Sequence, residues 1–111
     1  MIRTLLTSSC LLLSACSVST SLLVDVENEE TPLMGEAVAT MASGTFEVSN
    51  LDGLFCSGTY NQWETSSNLK TSFECNDGRF GEVMILRTGP NKENGSGMGV
   101  LNDGTRFRVL M

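Results

Sequence analysis

Phe55-Cys56-Ser57-Gly58-Thr59-Tyr60 and, after a polar interval, Asn68-Leu69-Lys70-Thr71-Ser72-Phe73-Glu74-Cys75 carry the pattern that decides the fold. Both segments alternate with the two-residue period of a strand that has one dry face and one wet face. If Cys56 and Cys75 face each other across antiparallel strands, Gly58 falls opposite Phe73, Tyr60 opposite Thr71 and Trp63 opposite Asn68, with Glu64-Thr65-Ser66-Ser67 as a four-residue turn. Leu54, Cys56, Gly58 and Tyr60 then share a face with Leu69, Thr71, Phe73 and Cys75. Ser57, Thr59, Asn61, Lys70, Ser72, Glu74 and Asn76 take the other. A register chosen on sulfur alone thus separates apolar from polar side chains, as a half-buried hairpin requires.

Asp-Gly recurs around this hairpin at Asp52-Gly53, Asp77-Gly78 and Asp103-Gly104, at intervals of 25 and 26 residues. Between apolar alternations Asp-Gly marks a hairpin tip, because glycine accepts positive φ at no steric cost. At Asn50-Leu51-Asp52-Gly53 a type I turn with a glycine bulge places Phe46 and Val48 beside Gly58 and Cys56, whereas a two-residue loop would expose them. At Asp103-Gly104 a two-residue loop groups Met98 and Val100 with Phe107, Val109 and Met111. After Asp77-Gly78, Phe80, Met84 and Leu86 alternate with Val83 and Ile85, which predicts a central strand covered on both faces. With eleven glycines, two prolines and no helical period, the expectation for residues 35–111 is an all-β domain. Its strands form a small antiparallel meander of about six, from near Glu36–Met41 to Arg106–Met111, rolled into a barrel or sandwich. Gly89-Pro90-Asn91-Lys92-Glu93-Asn94-Gly95 is the longest polar loop and reads as a plain surface connection.

The N-terminal end is of a different kind. Arg3 precedes an apolar run built on Leu5, Leu6, Leu11, Leu12 and Leu13, too short to span a bilayer and closed by Leu13-Ser14-Ala15-Cys16. That tetrad resembles the lipobox of bacterial lipoproteins. The resemblance implies a signal peptide over residues 1–15, cleavage between Ala15 and Cys16, and lipidation of Cys16 as the mature N-terminus. It further implies a membrane anchor of two or three acyl chains, each buried methylene contributing about 0.8 kcal/mol. Ser17 in place of aspartate is similar to the outer-membrane class of these lipoproteins, with the domain expected to face the periplasm. With Cys10 removed and Cys16 acylated, Cys56 and Cys75 are left to form a disulfide in an oxidising compartment. Residues 16–34 read as an acidic, flexible tether: Ser17, Ser19, Thr20 and Ser21 precede Asp25-Val26-Glu27-Asn28-Glu29-Glu30 and Pro32. The alternative for those carboxylates, a calcium loop, lacks the acid-and-glycine spacing of an EF-hand, and Leu22-Leu23-Val24 leaves a first strand open.

Composition narrows the chemistry. Loss of Arg3 with the first fifteen residues leaves six basic against thirteen acidic side chains, a net charge of −7, which argues against nucleic acid and against an electrostatic hold on anionic lipid. Histidine is absent, so a His-based triad cannot be assembled, and aromatics make up only 6%, which argues against a stacking platform for bases or sugars. Glu47, Glu64, Glu74 and Glu82 are the candidate carboxylates for a glycosidase, but alternation sends all except Glu82 to solvent or a strand edge. Gly95-Ser96-Gly97-Met98-Gly99 has the glycine density of a phosphate loop without its lysine or helix. Arg79, Arg87, Arg106 and Arg108 are candidates for an anionic partner, with Arg106 and Arg108 placed on an outer face. No metal or cofactor is expected.

The hairpin unit, Gly44-Thr45-Phe46 running to Asp52-Gly53 and Gly97-Met98-Gly99 running to Asp103-Gly104, is weakly similar to MORN repeats, with Tyr60 and Trp63 as the only hints of their aromatic core. As a whole the mature chain resembles small Gram-negative outer-membrane lipoproteins with Asp-Gly hairpins and one disulfide. The expected function is a non-catalytic envelope module, structural or interacting with an envelope protein partner. The alternative is a periplasmic inhibitor similar to the lipoprotein lysozyme inhibitors, whose inhibitory Ser-Gly loop Ser57-Gly58-Thr59-Tyr60 partly echoes.

Overall fold

The structure, a computed structural model, describes residues 17–111; the expected signal peptide, the Ala15–Cys16 cleavage point and the Cys16 lipidation site lie outside the described residues. Eight strands follow in order: β1 (Val18–Val26), β2 (Leu33–Ala39), β3 (Gly44–Ser49), β4 (Phe55–Tyr60), β5 (Asn68–Cys75), β6 (Phe80–Thr88), β7 (Asn94–Leu101) and β8 (Arg106–Leu110). Each pairs antiparallel with the next, and β8 returns to β1 to close a barrel rather than a sandwich. Closure leaves no free sheet edge.

Cys56 faces Cys75 and Gly58 faces Phe73, and the two sulfurs are bonded. The Asn76 N–H donates to the Phe55 carbonyl at 2.8 Å, so the cysteines occupy the neighbouring non-hydrogen-bonded site, where side chains stand closest. The β4–β5 ladder ends at Thr59–Ser72, short of the expected Tyr60–Thr71 and Trp63–Asn68 pairs. Asn61 is the reason: its Oδ1 accepts the Trp63 N–H at 3.0 Å and its carbonyl accepts the Glu64 N–H at 3.2 Å, turning the chain early and lengthening the connection to residues 61–67.

All three Asp-Gly tips turn the same way. Gly53, Gly78 and Gly104 have φ of 88°, 89° and 90°, and each donates its N–H three residues back, to Asn50, Cys75 and Leu101. These are type I turns closed by a glycine bulge, as expected at Asp52-Gly53. The two-residue loop expected at Asp103-Gly104 is therefore corrected by one residue. Gly99 faces Phe107 and Gly97 faces Val109, while Met98 and Val100 lie outside opposite Arg108 and Arg106. Steric room decides it, since a Cβ on Gly99 would stand 2.5 Å from the Phe107 ring, which occupies the space a side chain would take. In β6, Val83 and Ile85 are buried while Phe80, Met84 and Leu86 stay about half exposed, so that strand is covered on its inner face only.

The acidic tether is the larger correction. Its residues form β1 and the start of β2, moving the domain boundary from Gly35 to Val18 and raising the strand count from about six to eight. Val24 and Val26 point into the core while Asp25 and Glu27 point outward, where Arg108 and Arg106 of β8 lie 3.8 and 3.5 Å away. The carboxylates read as solvated are thus matched to cations from the opposite end of the chain. Glu29 continues the pattern, 3.7 Å from Arg79. Every strand and every connection lies between Val18 and Leu110, so the chain from Ser17 contains the whole barrel.

Inside, Leu33 is fully buried, one member of a core that also includes Val26, Val48, Leu101 and the disulfide cysteines. The Phe46, Phe73 and Phe107 rings meet edge to face, with centroids 6.5 and 4.9 Å apart. Phe46 lies across Gly58 as Phe107 lies across Gly99.

Candidate functional site

An up-and-down barrel puts alternate connections at opposite ends. The β1–β2 turn and the three Asp-Gly tips form one end, and Arg79 ties three of these four together: its Nε lies 2.7 Å from Asp77, and its other nitrogens lie 3.7 Å from Glu29 and from Asp103. The Arg79 N–H bonded to Asp77, with the guanidinium adding to it, holds the Asp77 carboxyl below its ordinary range. The Thr105 N–H does the same for Asp103. The opposite end carries the 40–43, 61–67 and 89–93 connections and both ends of the described chain.

Within the barrel lies a cavity of about 420 Å³. Its walls are the inward side chains of the strands, among them Leu22, Leu69, Phe73, Ile85 and Val109. Ala37 and Ala39, inward on β2, leave space that a branched side chain would fill. Gln62 and residues 91–93 line it too, whereas of the four connections at the other end only Leu54, itself buried, reaches it, so it opens at the end that carries Val18 and Met111. Interior-facing positions of an eight-stranded barrel either fill the lumen or leave room for one small ligand, and a volume of this size lies within the ordinary range for ligand sites.

The mouth is polar. Tyr60 lies against Gly44, and burial raises its hydroxyl above the ordinary pKa, opposed by the charge of Arg87. Gln62 donates through Nε2 to the Thr40 carbonyl at 3.2 Å. Arg87 shares the inward parity of Val83 and Ile85 and ends β6 at the rim. Its Nη2 donates to the carbonyls of Glu64, at 3.0 Å, and Ser66, which fixes the 61–67 loop, while its Nε is buried with no protein acceptor. Lys92 sits half-buried in the 89–93 turn at a left-handed φ of 55°. Glu93 is engaged locally, its Oε2 accepting the Asn91 N–H at 2.9 Å.

The ion pairs sort the cations. Lys70 pairs with Glu82 at 3.0 Å, Arg79 with three carboxylates, Arg106 with Glu27 and Arg108 with Asp25. Among the described residues Arg87 and Lys92 alone of the basic side chains make no ion pair, and both line the mouth of the cavity. Of the four arginines singled out in the sequence, three are therefore tied to carboxylates of this chain. Alternation along β6 carries the signal for Arg87; nothing local distinguishes Lys92 or Gln62, which reach the mouth by loop geometry.

The remaining candidates lie elsewhere. Glu47 and Glu74 flank Ser57 on the outer surface, Glu82 is held by Lys70, and Glu64 accepts the Ser66 N–H at 2.9 Å. None of the four lines the cavity. Gly95–Gly99 is part of β7 and Ser57–Tyr60 is part of β4, so neither forms a loop. The disulfide and the turn pairs Asp52-Gly53, Asp77-Gly78 and Asp103-Gly104 sit at or near the closed end. No family model, curated protein or solved structure matches this chain.

Proposed function

We propose that the chain is a non-catalytic, lipid-anchored lipoprotein of the bacterial envelope whose barrel is a binding module that takes an apolar guest into its lumen. The observation that carries this reading is the apolar cavity, which opens at the end that carries Val18 and Met111. The resemblance of Leu13-Ser14-Ala15-Cys16 to a lipobox supplies the anchor, and Ser17 favours the outer membrane with the domain on the periplasmic side. The ion pairs support a barrel standing in water beside the membrane: the inner face is apolar, and the outer face carries the Lys70–Glu82, Arg106–Glu27 and Arg108–Asp25 pairs alongside exposed Phe80, Met84, Leu86, Met98 and Val100.

The test is uptake of a neutral fluorescent naphthylamine probe by the chain from Ser17. Saturable binding at one site per chain is expected, abolished by Ala37→Phe, which fills the lumen. Absence of saturable uptake refutes the binding module. Mass spectrometry of envelope material checks the anchor: an acylated N-terminal Cys16 is expected, and an unmodified Met1 terminus refutes it.

A further inference from the structure

The Arg87 and Lys92 side chains give the lumen a direction. Resting on the reading above, we infer that the guest is a single-chain carboxylate, a free fatty acid, held with its hydrocarbon inward and its head between Arg87 and Lys92. The described part of the chain is strongly acidic, yet the two cations its carboxylates leave unpaired both stand at the entrance of the apolar cavity. Arg87 adds a buried Nε with no protein acceptor at that rim. A buried donor without a partner is costly, and an anionic head at the rim would relieve the cost. Glu93 shares the rim but is committed to Asn91, and Gln62 to Thr40. Tyr60 keeps its proton through the neutral range and stands near Arg87 as a neutral donor.

An acyl chain has two sources in such a protein: a free fatty acid, or the anchor expected on Cys16, two positions before Val18 in sequence. The cations favour the first, since the ester and amide groups of a lipoprotein anchor carry no negative charge for Arg87 and Lys92 to meet.

Dodecanoate and dodecanol, equal in chain and different in head, separate the terms when each displaces the neutral probe from the chain beginning at Ser17 with its disulfide intact. The acid is expected to bind about tenfold tighter or more, the scale of one charged hydrogen bond. Lys92→Gln is expected to weaken dodecanoate more than dodecanol and so bring that ratio toward unity. Arg87→Gln acts alike but also releases the 61–67 loop, so Lys92→Gln carries the test if the arginine variant does not fold. Trp63, the sole tryptophan, sits in that loop and reports orientation. Dodecanoate brominated beside the carboxylate is expected to quench it more strongly than dodecanoate brominated at the far end. Equal affinity of acid and alcohol, an unchanged ratio in Lys92→Gln, or stronger quenching from the far end overturns the inference while leaving an apolar binding module standing. Failure of the neutral probe to bind overturns both. A lipidated full chain that excludes the probe, beside a Ser17 chain that admits it, assigns the lumen to the protein's own anchor and likewise overturns the inference.

Discussion

At Gly99 a Cβ would stand 2.5 Å from the Phe107 ring and 2.8 Å from the Glu82 carbonyl, so this residue sets how closely β7 approaches the core. Gly99→Val is expected to destabilise the barrel by roughly 1–3 kcal/mol through overpacking, whereas Met98→Val, one residue away and facing solvent, should stay within about 0.5 kcal/mol. Urea midpoints of the two variants check the contrast, and equal shifts would put the wrong face inward. Asp77 and Asp103 set the response to acid. Both carboxyls titrate below the ordinary value because N–H groups of Arg79 and Thr105 favour the charged form. Their folded pKa values being depressed, the stability they add is complete above the unfolded value of about 3.9 and is lost as pH falls below it. The double variant Asp77→Asn, Asp103→Asn is expected to flatten the decline of the denaturation midpoint as pH falls below about 4. A decline as steep as in the parent chain would mean that other carboxylates govern acid unfolding.

Among the elements, the β4–β5 hairpin is the best specified, since alternation, the cysteine positions and the observed pairing agree from Cys56–Cys75 to Thr59–Ser72. The disulfide closes a loop with a sequence separation of 19 residues, a constraint worth about 3 kcal/mol on the chain-entropy model. Cys56→Ser, Cys75→Ser should therefore lower the melting temperature by well over a few degrees, and reductant should reproduce the shift in the parent chain but not in the variant. The β7–β8 hairpin was less legible. Met98 and Val100 are more apolar than Gly97 and Gly99, so a hydrophobicity pattern turns the methionine and valine inward. The observed register follows volume instead, because the facing Phe107 ring needs the space above a glycine. On the outside of β6 and β7, Phe80, Met84, Leu86, Met98 and Val100 remain exposed, where alternation read β6 as covered on both faces and turned Met98 and Val100 inward.

For the molecule as a whole, closure is the decisive event, and β1 supplies it by pairing with β2 on one side and β8 on the other. A chain beginning at Gly35 lacks β1 and the first residues of β2, leaving two open edges and an uncovered lumen. It is expected to lose its native β-sheet circular dichroism or to elute as aggregates, while the chain beginning at Ser17 elutes as a folded species. A monomeric, folded Gly35 chain would restore the tether reading. By itself the sequence determined the all-β class, the three hairpin tips and the Cys56–Cys75 register. Those rest on a two-residue period and on the φ freedom of glycine, which are properties of neighbouring residues. Only the tertiary structure decided that the acidic run is a strand, that the sheet closes around a cavity, and that Arg87 and Lys92 stand unpaired at its mouth. Asp25 meets Arg108, and Glu27 meets Arg106, only because the barrel brings its two ends together, and no local pattern encodes a partner that distant in the chain.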